Sequence, residues 1–326
     1  MGGQQWKKTP EVKEELKQLV EHETGGNPMN QAKWVRSSLR YLEEKLGKKV
    51  SHTTIGRLLH DMDYSLKVNV KRLAGSAHPD RETQFQYIRS QKEAFLQAGL
   101  PVISGDSKKK ELIGDFKNPG RTWRQEAVSV QEHDFPQDAL GKAVPYGIYN
   151  LNHNSGYVYV GQSADTPQFA VEAISVWWQT IGCHLFPTAT ALLLLADAGG
   201  SNGYRSRNWK QQLQELLADQ LNLAVTVCHY PTGASKWNPV EHRLFGPISI
   251  NWAGEPLRTF AVRLSLIRGT VNETGLKVET FLVDKVYEKG RKVTDKVMKT
   301  LNIERHTTCP DWNYTIRSRS PVSLCT

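Results

Sequence analysis

Three carboxylates stand where a chain leaves or enters regular structure. Asp106 follows the short apolar stretch Pro101–Ser104, and Asp197 follows the continuous apolar run Ala191–Ala196. Glu241 opens the segment EHRLFGPISINW just behind Asn238 and Pro239, a pair that favours a turn into a helix. In open α/β sheets, sites form at the carboxyl ends of strands. Two Asp on neighbouring strand ends and one Glu on an adjacent helix could hold a pair of divalent cations. Mg²⁺ is hard and takes oxygen ligands. Two such ions about 4 Å apart would activate a water and neutralise the leaving oxygen of a phosphodiester. Each carboxylate alone has a plainer explanation. Asp106 suits a turn cap in GDSKKK, Asp197 a loop cap in ADAGGSNGYR, and Glu241 a helix-dipole partner. The set gains meaning only with its flanking residues.

Gly199-Gly200-Ser201-Asn202-Gly203 could let a phosphate backbone approach, or serve as a flexible strand-to-helix turn. It lacks the Lys of a nucleotide-binding P-loop. Arg205, Arg207 and Lys210 follow at the start of a helix, as phosphate contacts or as a solvated basic face. Lys236 is a candidate DNA contact, as is Trp237, for which core burial is the competing reading. Asn238 and His242 flank Glu241 as candidate assisting residues; a His beside a carboxylate is more often structural. Cys228-His229 has no partner at zinc spacing. Glu111 and Asp115 are competing carboxylates that alternation would point to opposite faces of one strand, so neither joins the set.

The elements that would position these residues follow from hydrophobic period. Val12 to His22, Gln31 to Leu46 and His52 to His60 carry apolar residues at helical spacing. Gly47 ends the second helix and Ser51 offers an N-cap for the third, which is the outline of a helix-turn-helix. Lys48, Lys49, Arg57, Lys67, Lys71 and Arg72 surround it, although a small helical bundle with solvated charges shows the same pattern. From Pro101 the pattern changes. Strands are expected at Pro101–Ser104, Glu111–Phe116, Tyr157–Val160, Ala191–Ala196 and Leu223–Val227, with helices at Gln168–Ile181 and Arg207–Leu221. Lys117 to Gly141 reads as loop. The expectation is a helical region over residues 1–97, then an α/β domain with a mixed sheet over 98–326.

Composition sets the outer limits. A chain of 326 residues exceeds one typical compact domain, and its net charge of +9 suits a polyanionic partner. The four cysteines are far apart, without the density of a disulfide framework or the spacing of a zinc site. The N-terminal MGGQQWKKTPEVKEELK has no signal-like apolar stretch, and the longest apolar run, Ala191–Ala196, is too short to span a bilayer. A cytoplasmic, nucleoid-associated protein without a membrane partner is expected.

The strings ISGDSKKKELIGDFKNPGRTW, LLADAGGSNGYRSRNWK and CHYPTGASKWNPVEHRLFGPISINWAGEPL closely resemble the ISAzo-type insertion-sequence transposases with a Rhodopirellula-type DDE domain. HPDRETQFQYI, GLKV, YEKGRKV and DWNYTI extend the resemblance, in order, over nearly the whole chain. NPVEH is also similar to the NPxE segment of mariner-like transposases. The resemblance implies an RNase H-like catalytic domain behind a helix-turn-helix region, with Asp106, Asp197 and Glu241 as the acidic triad. It further implies two Mg²⁺ or Mn²⁺ ions per site, hydrolysis at transposon ends, and direct attack of the freed 3′-hydroxyl on target DNA. Double-stranded DNA is then the partner, as transposon ends and target, and a homodimer would bring two ends together. The family carries a further helical segment upstream of where this chain begins. The chain is accordingly expected to be N-terminally truncated, and a transposition-defective relic occupying transposon ends is the alternative to an active transposase.

Overall fold

The computed structural model describes residues 9–22, 24–26, 33–35, 37–66 and 78–319. They divide into two compact units, 1–73 and 74–326.

The first unit contains α1 (Thr9–His22), a short antiparallel pair β1 (Thr24–Gly26) and β2 (Lys33–Val35), α2 (Leu39–Lys45) and α3 (His52–Asp61). Val12, Leu16 and Val20 from α1 pack with Leu42, Leu46, Ile55 and Leu58. The Ser51 hydroxyl caps α3 by accepting the Thr54 N–H, and Gly47 takes φ +63° where the chain leaves α2. The expected helix over Gln31–Leu46 is corrected. Ser38 caps a helix that starts at Leu39, and Lys33–Val35 is a strand, so the apolar spacing from Trp34 to Leu46 spans two elements. Lys67, Lys71 and Arg72 lie outside the described residues.

The second unit is built on a nine-stranded mixed sheet. Its strands are β3 (Val102–Ser107), β4 (Glu111–Ile113), β5 (Gly141–Asn150), β6 (Ser155–Gly161), β7 (Ala191–Ala196), β8 (Ala224–His229), β9 (Lys277–Val283), β10 (Ile303–Arg305) and β11 (Asn313–Ile316). They lie in the order β10-β11-β8-β7-β3-β5-β6-β9, with β4 beside β5. β7 runs parallel to both β3 and β8, whereas β5 is antiparallel to β3 and β6. This is the mixed α/β sheet of the RNase H-like class. β5 has no counterpart among the strands expected from sequence, because its run is interrupted by Pro145 and Gly147.

Alternation along the strands sends side chains to both faces. On one face, Phe169, Ala173 and Trp177 of α5 (Pro167–Trp177) pack on Ile103, Leu192 and Leu194. The helix continues through a π turn, Trp178–Gly182, into α6 (Cys183–Leu185). Beside it, α7 (Arg207–Gln212) and the π turn Leu213–Asp219 contribute Trp209, Leu213 and Leu217. On the other face, α4 (Arg81–Gln97) places Ile88 against Val102, Leu193 and Leu195. There too, α8 (Gly246–Asn251) and the turn before it pack Leu244, Phe245 and Ile248 on Tyr149 and Val158, and α9 (Phe260–Arg268) adds Ile267. A short α10 (Asp295–Met298) precedes β10.

Helix α4 belongs by its contacts to the sheet, although the sequence groups it with the preceding helices. Its Gln84 is fully buried, donates to the His229 carbonyl at 2.8 Å and exchanges amide hydrogen bonds with Asn313. Among the described residues no helix is long and apolar enough to cross a membrane. Cys183, Cys228 and Cys309 are free thiols.

Candidate active site

The three carboxylates arrive from three elements at one end of the sheet. Asp106 sits inside β3, not just beyond it, because the antiparallel pairing with β5 continues through Asp106↔Gly147 and Ser107↔Tyr146. Pairing with β7 stops one residue earlier, at Gly105↔Ala196. Asp106 and Asp197 are therefore the next two residues on adjacent parallel strands. Glu241 is the first residue of a helical turn, Glu241–Phe245, that runs into α8.

Their electrostatics tie them together. Burial raises the Asp106 carboxyl to about 8; Asp197 adds repulsion, the Ser107 N–H at 2.7 Å opposes it, and Glu241 and Asp165 add less. Burial also raises Asp197, against the Ala198 N–H at 2.6 Å. Glu241 is raised by burial and by Asp197, while Lys108 pulls it down. None of the three carboxylates has an ion-pair partner among the described residues. Such mutually repelling oxygen donors fit a hard divalent cation, which would supply the missing positive charge. Among the described residues no group of three His, Cys, Asp or Glu side chains is placed so that it could hold a metal ion as it stands.

Each carboxylate has its own support. The fully buried His229, at the end of β8, lies 2.9 Å through Nδ1 from the Asp197 carbonyl and 3.1 Å through Nε2 from the Tyr314 hydroxyl. A carbonyl can only accept and the Trp209 indole can only donate, at 3.0 Å to Tyr314. The chain therefore has one polarity: Trp209 to Tyr314, Tyr314 to His229, His229 to the Asp197 backbone. Burial holds this imidazole neutral, with its pKa lowered to about 4. The sequence gives His229 no metal partner, and the structure assigns it this backbone contact.

Glu241 is fixed through Asn238 and Ser104. The Ser104 hydroxyl donates to Asn238 Oδ1 and accepts the Val240 N–H at 3.0 Å, while the Asn238 carbonyl accepts the Glu241 N–H at 3.0 Å. The turn sits close because Gly147 and Gly156 leave room. A Cβ on Gly147 would stand 2.5 Å from the Phe245 ring, and one on Gly156 would collide with Leu244.

The glycine loop is pinned. Asn202 is fully buried, donates to the Gly105 carbonyl at 3.0 Å and accepts from the Tyr146 hydroxyl at 3.1 Å, directly behind Asp106. One residue near Asp106 has no sequence motif that marks it. Asp165 accepts from the Ser107 hydroxyl at 2.8 Å, bringing a fourth carboxylate near Asp106. Lys108 lies 2.7 Å from Glu111, whose other oxygen meets the fully buried Arg263 at 2.5 Å. Both cations flank the Trp252 ring, at 4.8 and 5.2 Å. Glu111 is thus committed to these cations, and Asp115 pairs with Arg258 at 2.6 Å.

The basic candidates divide. Arg205 lies over the Tyr204 ring at 5.1 Å, and Arg207 pairs with Asp295 at 2.6 Å. Lys236 is exposed, 5.2 Å from the Trp237 ring centre. His242 is exposed, its pKa lowered by partial burial and by Arg243. In the first unit, Lys48, Lys49 and Arg57 are exposed, with Lys49 paired to Glu15 at 2.7 Å.

Two Asp at the ends of adjacent parallel strands and a Glu on a helical turn thus stand at one end of a mixed α/β sheet. Over residues 15–318 the sequence matches the Rhodopirellula transposase DDE domain, and the chain belongs to that transposase family. Among curated protein sequences none matches this chain. Solved structures similar to it include a Mos1 transposase paired-end complex with left transposon end, at 14% identity and TM-score 0.42, covering 76% of this chain and 67% of that one. The Mos1 strand transfer complex gives 14% and 0.43 over 77% and 67%. A Mos1 mariner paired end complex with Mn gives 16% and 0.42 over 76% and 68%.

Proposed function

We propose that this transposase-family chain cleaves DNA at the ends of an insertion element and transfers the freed 3′ ends to target DNA, with Asp106, Asp197 and Glu241 as ligands of Mg²⁺ or Mn²⁺. The mutual repulsion of these three carboxylates, each raised by burial and without an ion-pair partner among the described residues, carries the reading. A pair of bound divalent ions would supply Lewis-acid activation of the attacking oxygen and charge neutralisation at the leaving oxygen. The protein's part is positioning. Neutral His229 orients the backbone of Asp197, and Ser104 with Asn238 holds the turn that presents Glu241. Water and then the 3′-hydroxyl act as nucleophiles, so no side chain forms a covalent bond to DNA.

End recognition falls to the helices of the first unit, with α2 and α3 as a helix-turn-helix and Lys48, Lys49 and Arg57 as phosphate contacts. Double-stranded DNA is the partner, and a homodimer would pair two ends. The test is cleavage of DNA carrying the element's own ends, with Mg²⁺ or Mn²⁺, by wild type, Asp197→Ala and Glu241→Ala. Cleavage by the wild type that both substitutions abolish supports the reading. End binding without cleavage in either metal overturns it in favour of a DNA-binding relic.

A further inference from the structure

On the α4 side of the sheet lies a groove of about 380 Å³. That volume is in the ~300–1,000 Å³ range of small-molecule sites. Its aromatic walls are Phe85 of α4 with Tyr230 and Trp237, which bracket the turn between β8 and Glu241. Trp237 is 52% exposed, with its ring edge-on to Phe85 at 6.0 Å, and Phe85 stands 6.1 Å from Tyr230. The cations along the rim are Arg81, Arg89 and Lys92, against the single acid Glu82. None of these three cations forms an ion pair among the described residues, and Arg81 lies over the Phe85 ring at 5.3 Å.

The groove adjoins the candidate active site through the backbone. The Tyr230 N–H donates to the Ala196 carbonyl, one residue before Asp197, at 2.9 Å. Trp237 immediately precedes Asn238, which holds the Glu241 turn.

We propose that this groove stacks an unpaired base of the DNA strand passing the active site, with Trp237 as the platform and Arg81, Arg89 and Lys92 on the flanking phosphates. Two chemistries coexist here, a half-exposed indole and unpaired cations, and one partner matches both: a nucleic-acid strand with an unstacked base. A paired duplex would satisfy the cations through its phosphates while its bases stayed stacked away from Trp237. An apolar protein segment would cover the rings and leave the three charges unanswered. The proposal rests on the proposed function, in which DNA is the substrate.

The test is fluorescence anisotropy of the full chain with a 12-nucleotide single strand, the blunt duplex of the same sequence, and that duplex with a short unpaired tail. Stacking on an aromatic residue is worth ~1–3 kcal/mol per base, so Trp237→Ala is expected to weaken the single strand and tailed duplex about tenfold. Blunt-duplex binding should stay within about twofold by the same reasoning. Trp237→Phe, which keeps a π face, should retain most of the affinity. Thermal melting of each variant checks that the fold persists. An unchanged single-strand affinity in Trp237→Ala, or an equal loss for blunt duplex, overturns the proposal. Wild-type cleavage of element ends alongside such a result would leave the proposed function standing. A wild-type chain that binds no form of DNA would overturn both.

Discussion

Ser104, two residues before Asp106, donates its hydroxyl to the side-chain carbonyl of Asn238, three residues before Glu241. Both side chains are fully buried, and the Ser104 oxygen also accepts the Val240 N–H. One hydroxyl thus ties the strand carrying the first carboxylate to the turn carrying the third. Ser104→Ala strips partners from two buried groups and is expected to cost about 1–3 kcal/mol in chemical denaturation. Cleavage should fall at least about tenfold, equivalent to ~1.4 kcal/mol in barrier, as Glu241 loses its alignment. A destabilised variant that cleaves at the wild-type rate would reduce the contact to a structural one.

Gly147 lies opposite Asp106 on β5 and beneath Phe245. In Gly147→Ala the new methyl would meet the Phe245 ring and Val240, pushing out the turn that begins with Glu241. Overpacking of this kind costs about 1–3 kcal/mol. Adding Phe245→Leu should restore part of both stability and cleavage. A double variant as impaired as the sum of the two singles would show that the clash lies elsewhere.

Asp106 is expected to trade stability for function. Its carboxyl, at about 8, is raised far above the ordinary 3.8, so the folded state binds the extra proton. Ionisation therefore costs stability progressively as pH rises from 3.8 towards 8, by a few kcal/mol in order of magnitude. Asp106→Asn removes that cost. Without divalent ions at pH 7.5 the variant should melt above the wild type, and added Mg²⁺ should raise the wild-type Tm far more than that of the variant. Equal Mg²⁺ responses would remove Asp106 from the ligand set.

His229 carries the pH dependence of opposite origin. Its imidazole is a base lowered from 6.5 to about 4, so the folded state binds fewer protons than the unfolded chain. The stability this gives is full above 6.5 and is lost as pH falls through about 4, amounting to ~3 kcal/mol. His229→Gln, less stable at pH 7.5, should show a flatter fall in Tm between pH 6.5 and 4. Parallel curves would mean that other groups set the acid limb.

Much of the candidate site was legible because its carboxylates coincide with abrupt changes of pattern. The run Ala191–Ala196 ends where an Asp begins, and Asn238-Pro239 announces the turn to Glu241. The supports were not legible. Ser104 and His229 are ordinary residues until β3 and β8 lie beside Asn238 and Tyr314, at sequence separations of 134 and 85. β5 stayed hidden because Pro145 and Gly147 break its alternation, although Gly147 is what lets Phe245 settle. Trp34 misled for the converse reason: helical spacing alone does not tell one helix from a strand followed by a helix.

Both flanks of the sheet are finished late. β9 covers β6 on one side, while β11, followed outward by β10, covers β8 on the other. During synthesis, β3, β5, β6, β7 and β8 emerge first, with two bare margins able to pair with another chain. The nascent protein cannot close its second margin until residue 316 has left the ribosome. Premature stop codons anywhere before β11 should therefore yield aggregates rather than shortened enzymes, and ribosome-bound chains should gain protease resistance only after that strand is translated.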